Sequence, residues 1–76
     1  MVYYVTGKIR SRVTYDYTDR LDTARKIARY LVSKGVQTIE IEAYTSRRPG
    51  DGGVLRYILE FDGERFKVRA RIMEYR

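Results

Sequence analysis

The side chains in this chain that could do chemistry are cations and phenols: sixteen Lys and Arg and eight Tyr, set against ten Asp and Glu. Lysines stand only at 8, 26, 34 and 67, so twelve of the sixteen cations are Arg, whose planar fork suits bidentate contact with phosphate and stacking on aromatic faces. Alternation along extended segments gathers Lys8, Arg10 and Arg12, then Arg56, then Arg65, Lys67, Arg69 and Arg71 onto one face of a sheet, with Tyr4, Tyr44 and Tyr75 among them. Cations that track phosphates and rings that stack on bases are the ingredients of a nucleic-acid platform. On that reading Lys8, Arg10, Arg12, Arg56, Lys67, Arg69, Arg71 and Tyr75 make the contacts. Glu40, Glu42, Glu60 and Glu74 interleave with the same cations, however, and the ordinary reading of such alternation is cross-strand pairing on a solvated surface.

Other chemistry lacks its instruments. The chain has no His, Cys, Trp or Asn, which removes the usual groups for acid–base work near neutral pH, thiol nucleophilicity and transition-metal ligation. Ser11, Ser33 and Ser46 have no His to act as base and no Lys at a recognisable spacing. Glu40 and Glu42 lie on a polar strand face where Arg56 can pair with them, while Asp51 and Asp62 are turn residues with too few neighbouring oxygens for calcium. The Gly-rich stretch from Arg47 to Gly53 could cradle a phosphate, yet it lacks the Walker lysine spacing and should return into a strand rather than open a helix. The expectation is a protein that is not an enzyme and needs no cofactor or metal.

The elements that must position these groups are legible from periodicity. Leu21, Ala24, Ile27, Ala28 and Leu31 recur at helical spacing with Arg25, Lys26 and Arg29 elsewhere on the wheel, which predicts an amphipathic helix over 19–34. Thr18 or Asp19 can cap its start, and Gly35 stands where a left-handed cap is expected. After Gly35 the period changes to two: Ile39, Ile41 and Ala43 alternate with Thr38, Glu40, Glu42 and Tyr44, a half-buried strand. Pro49 to Gly53 reads as a hairpin loop between this strand and Val54 to Phe61. Asp62 and Gly63 read as a tight turn into Glu64 to Tyr75. A two-residue turn there sets Phe61 against Glu64, Leu59 against Phe66, Tyr57 against Val68 and Leu55 against Ala70. Residues 8 to 17 read as one long strand with Ile9, Val13, Tyr15 and Tyr17 inward, and Thr6 and Gly7 as a bulge in it, the turn of an extra N-terminal hairpin being the alternative.

Length and composition bound the rest. Seventy-six residues make one domain, 1–76, with one core and no disulfide to reinforce it. Hydrophobic content of 43% against 34% charged fits a folded, soluble chain. No apolar run approaches the roughly 20 residues of a membrane span, and the start Met1-Val2-Tyr3-Tyr4 lacks the layout of a signal peptide, so a cytoplasmic protein without membrane partners is expected. The net charge of +6 points, without sequence preference, toward polyanions.

In element order the chain resembles cystatins and monellin, a resemblance that implies a curved sheet wrapped around one helix. The cystatin protease-binding motifs are absent: there is no Gln-x-Val-x-Gly, since Gln37 is followed by Thr38 and Ile39, and no Pro-Trp hairpin, so protease inhibition is not implied. The final helix of a double-stranded-RNA-binding domain and the aromatic motif of an RNA-recognition domain are also missing. In texture the chain resembles de novo designed curved-sheet proteins: Asp62-Gly63 in a turn, the Pro49 to Gly53 loop, Gly35 at the helix end, and strand faces of Val, Ile, Thr, Tyr, Arg and Glu without His, Cys or Asn. Depletion of Asn, Gln and Cys with abundant Arg and Glu is equally a hyperthermophile composition.

These readings converge on an α+β, two-layer domain, one helix on a curved, mostly antiparallel four-stranded sheet in the order β-α-β-β-β, with the N-terminal hairpin as the variant. The helix residues should meet Ile9, Val13, Ile39, Ile41, Leu55, Tyr57, Leu59, Phe66, Val68 and Ile72. Functionally, the leading expectation is an idealised scaffold with no evolved activity. The alternative is a small basic module binding nucleic acid through the sheet face. A third is a homodimer formed through the sheet edge or through Val54 and Ile58.

Overall fold

The computed structural model describes residues 1–9, 12–45 and 54–71, with Ile9, Arg12 and Tyr15 described by backbone alone. The elements are β1 (Val2–Ile9), β2 (Arg12–Thr18), α1 (Leu21–Ser33), β3 (Thr38–Tyr44), β4 (Leu55–Phe61) and β5 (Phe66–Arg71). The strands form one open, curved sheet in the order β2-β1-β3-β4-β5, every pairing antiparallel, with α1 on one face. The α+β class is as expected, and the sheet has five strands rather than four because the N-terminal hairpin, the variant of that expectation, is present.

The extra strand corrects the reading of the N-terminus. β1 and β2 pair without interruption from Tyr3↔Thr18 to Ile9↔Arg12, so Thr6 and Gly7 are neither a bulge nor a turn but sit inside β1; residues 10 and 11 lie outside the described residues. Gly7 serves a close approach instead. A Cβ on it would lie 2.7 Å from Val36 Cγ1 and 3.4 Å from Leu31 Cδ1, so the end of α1 rests directly on its backbone.

That contact is fixed by how the helix stops. Val36 N–H donates to Leu31 O, Gly35 N–H donates to Val32 O, and Gly35 takes a φ of 94°, the two crossed bonds and left-handed residue of a Schellman cap. The helix begins later than its apolar period suggested: Arg20 is the N-cap and has no side-chain cap, while Thr18 Oγ1 accepts from Arg20 N at 3.2 Å. Ala24 and Ala28 are fully buried, and these small residues let α1 settle over β1 and its neighbours. Leu21, Ile27, Leu31 and Val32 flank them.

The strands supply Tyr3, Val5, Ile39, Ile41, Ala43, Leu59 and Phe61 to the core below the helix. In β3 the alternation is as expected, with Ile39, Ile41 and Ala43 buried and Thr38, Glu40, Glu42 and Tyr44 on the other face. Each buried Ile contributes about 1.5–3 kcal/mol relative to exposure. The N-terminal hairpin, however, inverts the face assignment along β2. Val13 stands beside Lys8 and Tyr17 beside Tyr4, so both lie on the face away from the helix, 60% and 54% exposed, not in the core.

The last hairpin also differs from its expected register. Phe61 faces Phe66, Glu60 faces Lys67 and Leu59 faces Val68, a shift of two residues produced by a four-residue connection, Asp62 to Arg65. Asp62 causes it: its Oδ1 accepts from the backbone N–H of Glu64 at 2.8 Å and of Arg65 at 2.9 Å, while Gly63 adopts a φ of 102°. A shift of two keeps each side chain on its face, which is why Glu60 and Lys67 still lie opposite the helix. Two bulges then change that. Between Ala43 and Tyr44 the partner jumps from Tyr57 to Leu55, so Leu55 leaves the row of Tyr57; between Ile58 and Leu59 it jumps from Ala70 to Val68, placing Arg71 beside Tyr57. Val68, expected in the core, is 48% exposed: α1 packs mainly over β1, β2 and β3, and it meets β5 through Arg25 and Arg29 at Phe66, two residues before Val68. Ile72 and the Pro49 to Gly53 loop lie outside the described residues.

Candidate functional site

The face away from the helix holds four of the eight predicted contact residues, Lys8, Arg56, Lys67 and Arg69. Following the pairings across the sheet, one row runs Tyr17, Tyr4, Glu42, Ile58, Ala70, and the next runs Tyr15, Thr6, Glu40, Glu60, Lys67. Tyr4 therefore bridges three strands: its ring lies 6.1 Å from Tyr17 on β2 and 5.6 Å, edge-on, from Tyr44 on β3. Such tilted and edge-to-face contacts add about 0.5–1.5 kcal/mol beyond area. Tyr44 donates to Glu42 Oε1 at 3.3 Å, and desolvation first, then the Glu42 charge and that bond, raise its phenol above the ordinary value of 10.0. It stays protonated, a donor next to a carboxylate. Val2 and Ile58 are also buried on this face, outside the cluster beneath the helix.

The cations expected here are distributed less uniformly than alternation implied. Lys8 is exposed at the β1 end, Lys67 stands opposite Glu60, and Leu55 and Arg56 together oppose Tyr44. Arg69, the extra residue of the β5 bulge, reaches Glu40 with its Nε 2.8 Å from Oε2. Glu40 and Glu60 are direct cross-strand neighbours, a like-charge pair that Arg69 and Lys67 offset from one side. Arg71 shares the row of Tyr57, on the helix side. Arg10 and Tyr75 lie outside the described residues, and Arg12 is placed by backbone alone at the start of β2. Among the described residues this face carries four cations, Lys8, Arg56, Lys67 and Arg69, and three carboxylates, Glu40, Glu42 and Glu60, a nearly balanced surface.

A second cationic cluster forms where it was not predicted, on the helix side. Arg25 and Arg29, one helical turn apart, hold their guanidinium carbons 5.6 and 5.3 Å above the Phe66 ring, which itself stacks on Phe61 at 4.2 Å and 16°. Arg25 Nε is buried without a hydrogen-bond partner. Desolvation, the hydrogen bond to Tyr3 and the Tyr3 phenol raise the Tyr57 phenol, and the Arg25 charge partly opposes them. The i, i+4 spacing of Arg25 and Arg29 was a visible signal; the shifted register that brings Phe66 beneath them was not.

Among the described residues no three His, Cys, Asp or Glu side chains converge as a metal site would require. None of the described helical residues forms a helix long and apolar enough to cross a membrane. No family model, curated protein or solved structure matches this chain.

Proposed function

We propose that the protein is a non-catalytic folding scaffold, a domain whose sequence is spent on its fold and which carries no evolved chemistry of its own. The observation that carries this reading is the way the sheet-face charges are engaged with one another: Arg69 on Glu40, Lys67 opposite Glu60, Tyr44 on Glu42. It is supported by a core that, among the described residues, contains no buried polar or charged residue, and by a composition without His or Cys. The resemblance to designed curved-sheet proteins belongs to this reading, and a hyperthermophile chain of the same composition fits it too.

One observation favours a second reading, a small basic module for single-stranded nucleic acid. Tyr17, Tyr4 and Tyr44 form a row of rings across three strands of an open sheet, with Lys8, Lys67 and Arg69 on the same face. Base stacking on such rings is worth about 1–3 kcal/mol each. The central carboxylates Glu40, Glu42 and Glu60 would repel a phosphate backbone there, which is why the scaffold reading leads.

Fluorescence anisotropy with labelled single- and double-stranded oligonucleotides, at low and near-physiological salt, tests both. The scaffold reading expects weak binding that fades with salt, as for any chain of this charge, with dissociation constants of about 10⁻⁴–10⁻⁶ M. Submicromolar binding that survives the salt increase and drops on Tyr17→Ala and Arg69→Ala would overturn it in favour of the nucleic-acid module.

A further inference from the structure

We propose that β2 is a self-association edge, and that two copies of this chain pair antiparallel through it, Tyr15 against Tyr15, to make one continuous sheet of ten strands. The proposal concerns assembly and goes beyond the scaffold reading.

β2 is the outermost strand at one end of the sheet. It contains no Pro or Gly, and its register with β1 is unbroken, so it lacks the bulges and breakers with which exposed edges are usually blunted. Tyr17 N–H donates to Asp16 Oδ1 at 2.8 Å, which marks it as turned away from β1. Backbone direction alternates along a strand, so the amides of Val13, Tyr15 and Tyr17 turn outward together. An antiparallel copy centred on Tyr15 sets Val13 against Tyr17 of the second copy and Tyr15 against itself, which engages all three outward residues of each chain.

The side chains fit that register. Val13 and Tyr17, among the most exposed large apolar residues described, become cross-strand neighbours on the face away from the helices. On the helix side each Thr14 meets Asp16 of the second copy, a hydroxyl donor against a carboxylate. A shallow groove between β2 and α1, lined by Ile27, Tyr30, Asp16 and Lys26, runs beside the same edge. Tyr30 is 59% exposed there, and the groove offers one carboxylate and one ammonium from each copy at the seam. Centring the pairing on Asp16 would set carboxylate against carboxylate. The opposite edge is unsuited to a second copy, because pairing β5 with itself around Lys67, Val68 or Arg69 sets cation against cation.

Covering Val13, Tyr17 and Tyr30 removes roughly 300 Å² per copy at about 150–250 Å² for a whole aromatic residue. With the strand backbones the interface falls near the lower bound of about 1,200 Å² for stable complexes, so association should be concentration-dependent.

Sedimentation velocity from about 10 to 500 µM, a span chosen because even interfaces of standard size can bind only at the micromolar level, reads the mass directly. The expected result is a rise from monomer to dimer that Val13→Lys with Tyr17→Lys abolishes; both positions are exposed, and circular dichroism verifies the fold. Cysteine pairing supplies an independent readout in a chain that has no Cys. Positions 14 and 16 face each other as a non-hydrogen-bonded pair, about 4.5 Å between Cα atoms, within disulfide reach. A mixture of Thr14→Cys and Asp16→Cys chains should crosslink on oxidation, and neither chain alone. A monomer throughout the range, a dimer that survives the double lysine substitution, or a Thr14→Cys chain that crosslinks with itself would each overturn the proposal.

Discussion

The two hairpins at the ends of the sheet solve the same problem in opposite ways. β1 and β2 lie beneath the helix, keep an uninterrupted register, and are pinned where Val36 and Leu31 rest on Gly7. β4 and β5 lie to the side of the strands on which the helix mainly packs, pair through a bulge, and depend more on side chains: Asp62 orders the turn, and Arg25 and Arg29 cover Phe66 from above. The edges differ accordingly. β2 ends the sheet with exposed Val13 and Tyr17, while β5 ends it with Lys67, Arg69 and Arg71. A strand whose register is fixed by packing can leave an apolar edge open, whereas a strand held by its own turn and charges carries cations that discourage further pairing.

The comparison breaks most readily at Gly7. Gly7→Val should cost about 3 kcal/mol, the upper range for overpacking a well-filled site, because its Cβ would meet Val36 Cγ1 at 2.7 Å. Adding Val36→Ala should recover a substantial part of the loss in urea denaturation. A cost below that of an ordinary surface substitution, or no rescue, would mean that the helix end does not hold the N-terminal hairpin.

On the other flank, Phe66→Ala removes a partly buried ring stacked on Phe61 and covered by two guanidinium groups. The expected loss is about 2 kcal/mol, less than the 3–5 typical of a fully buried Phe. Amide exchange should accelerate in β5 while β2 remains protected. Equal acceleration at both edges would show that the two flanks do not behave as separate units.

These positions show what the sequence disclosed and what it withheld. The helix, β3 and the antiparallel class were legible because Ala24, Ala28, Ile39 and Ile41 repeat at one period over a whole element. The N-terminal hairpin was legible only as an alternative with its turn misplaced at Thr6-Gly7, since a strand paired on both sides of Gly7 and a long strand interrupted at Gly7 have the same local pattern; the difference lies in Val36, far along the chain. Asp62-Gly63 announced a turn but not its length, which depends on whether the carboxylate captures the following amides. Of the candidate site, Lys67 and Arg69 stand on the expected face, whereas the bulge that moves Arg71 to the row of Tyr57 has no signature in alternation.

The Asp62 turn predicts a pH dependence. Hydrogen bonds from Arg65 and then Glu64 hold this carboxyl below its ordinary value of 3.8. A carboxyl whose folded pKa is depressed contributes stability above its unfolded pKa, about 3.9, and loses that contribution as pH falls through the folded value. Asp62→Asn removes the titration, so the acid-side decline of the melting temperature should be shallower in the variant than in the parent chain, with the difference confined to acidic pH. Identical slopes would mean that the turn does not depend on the charged form.

The smallest effect expected is at the pair that joins the bulged edge to the centre of the sheet. Arg69 and Glu40 are 44% and 30% exposed, so solvent screens them and the pair should be worth about 0.2–1 kcal/mol in a double-mutant cycle of Arg69→Ala and Glu40→Gln. Glu40→Gln has a second, opposing consequence: it relieves the repulsion with Glu60, its direct neighbour on β4. The single substitution should therefore be nearly neutral while the cycle still reports a favourable coupling, and raising salt should shrink that coupling. A coupling of zero at low salt would reduce the bulge to a backbone irregularity. A measurable one would show that the extra residue is held by its charge partner on β3 as well as by the β5 backbone.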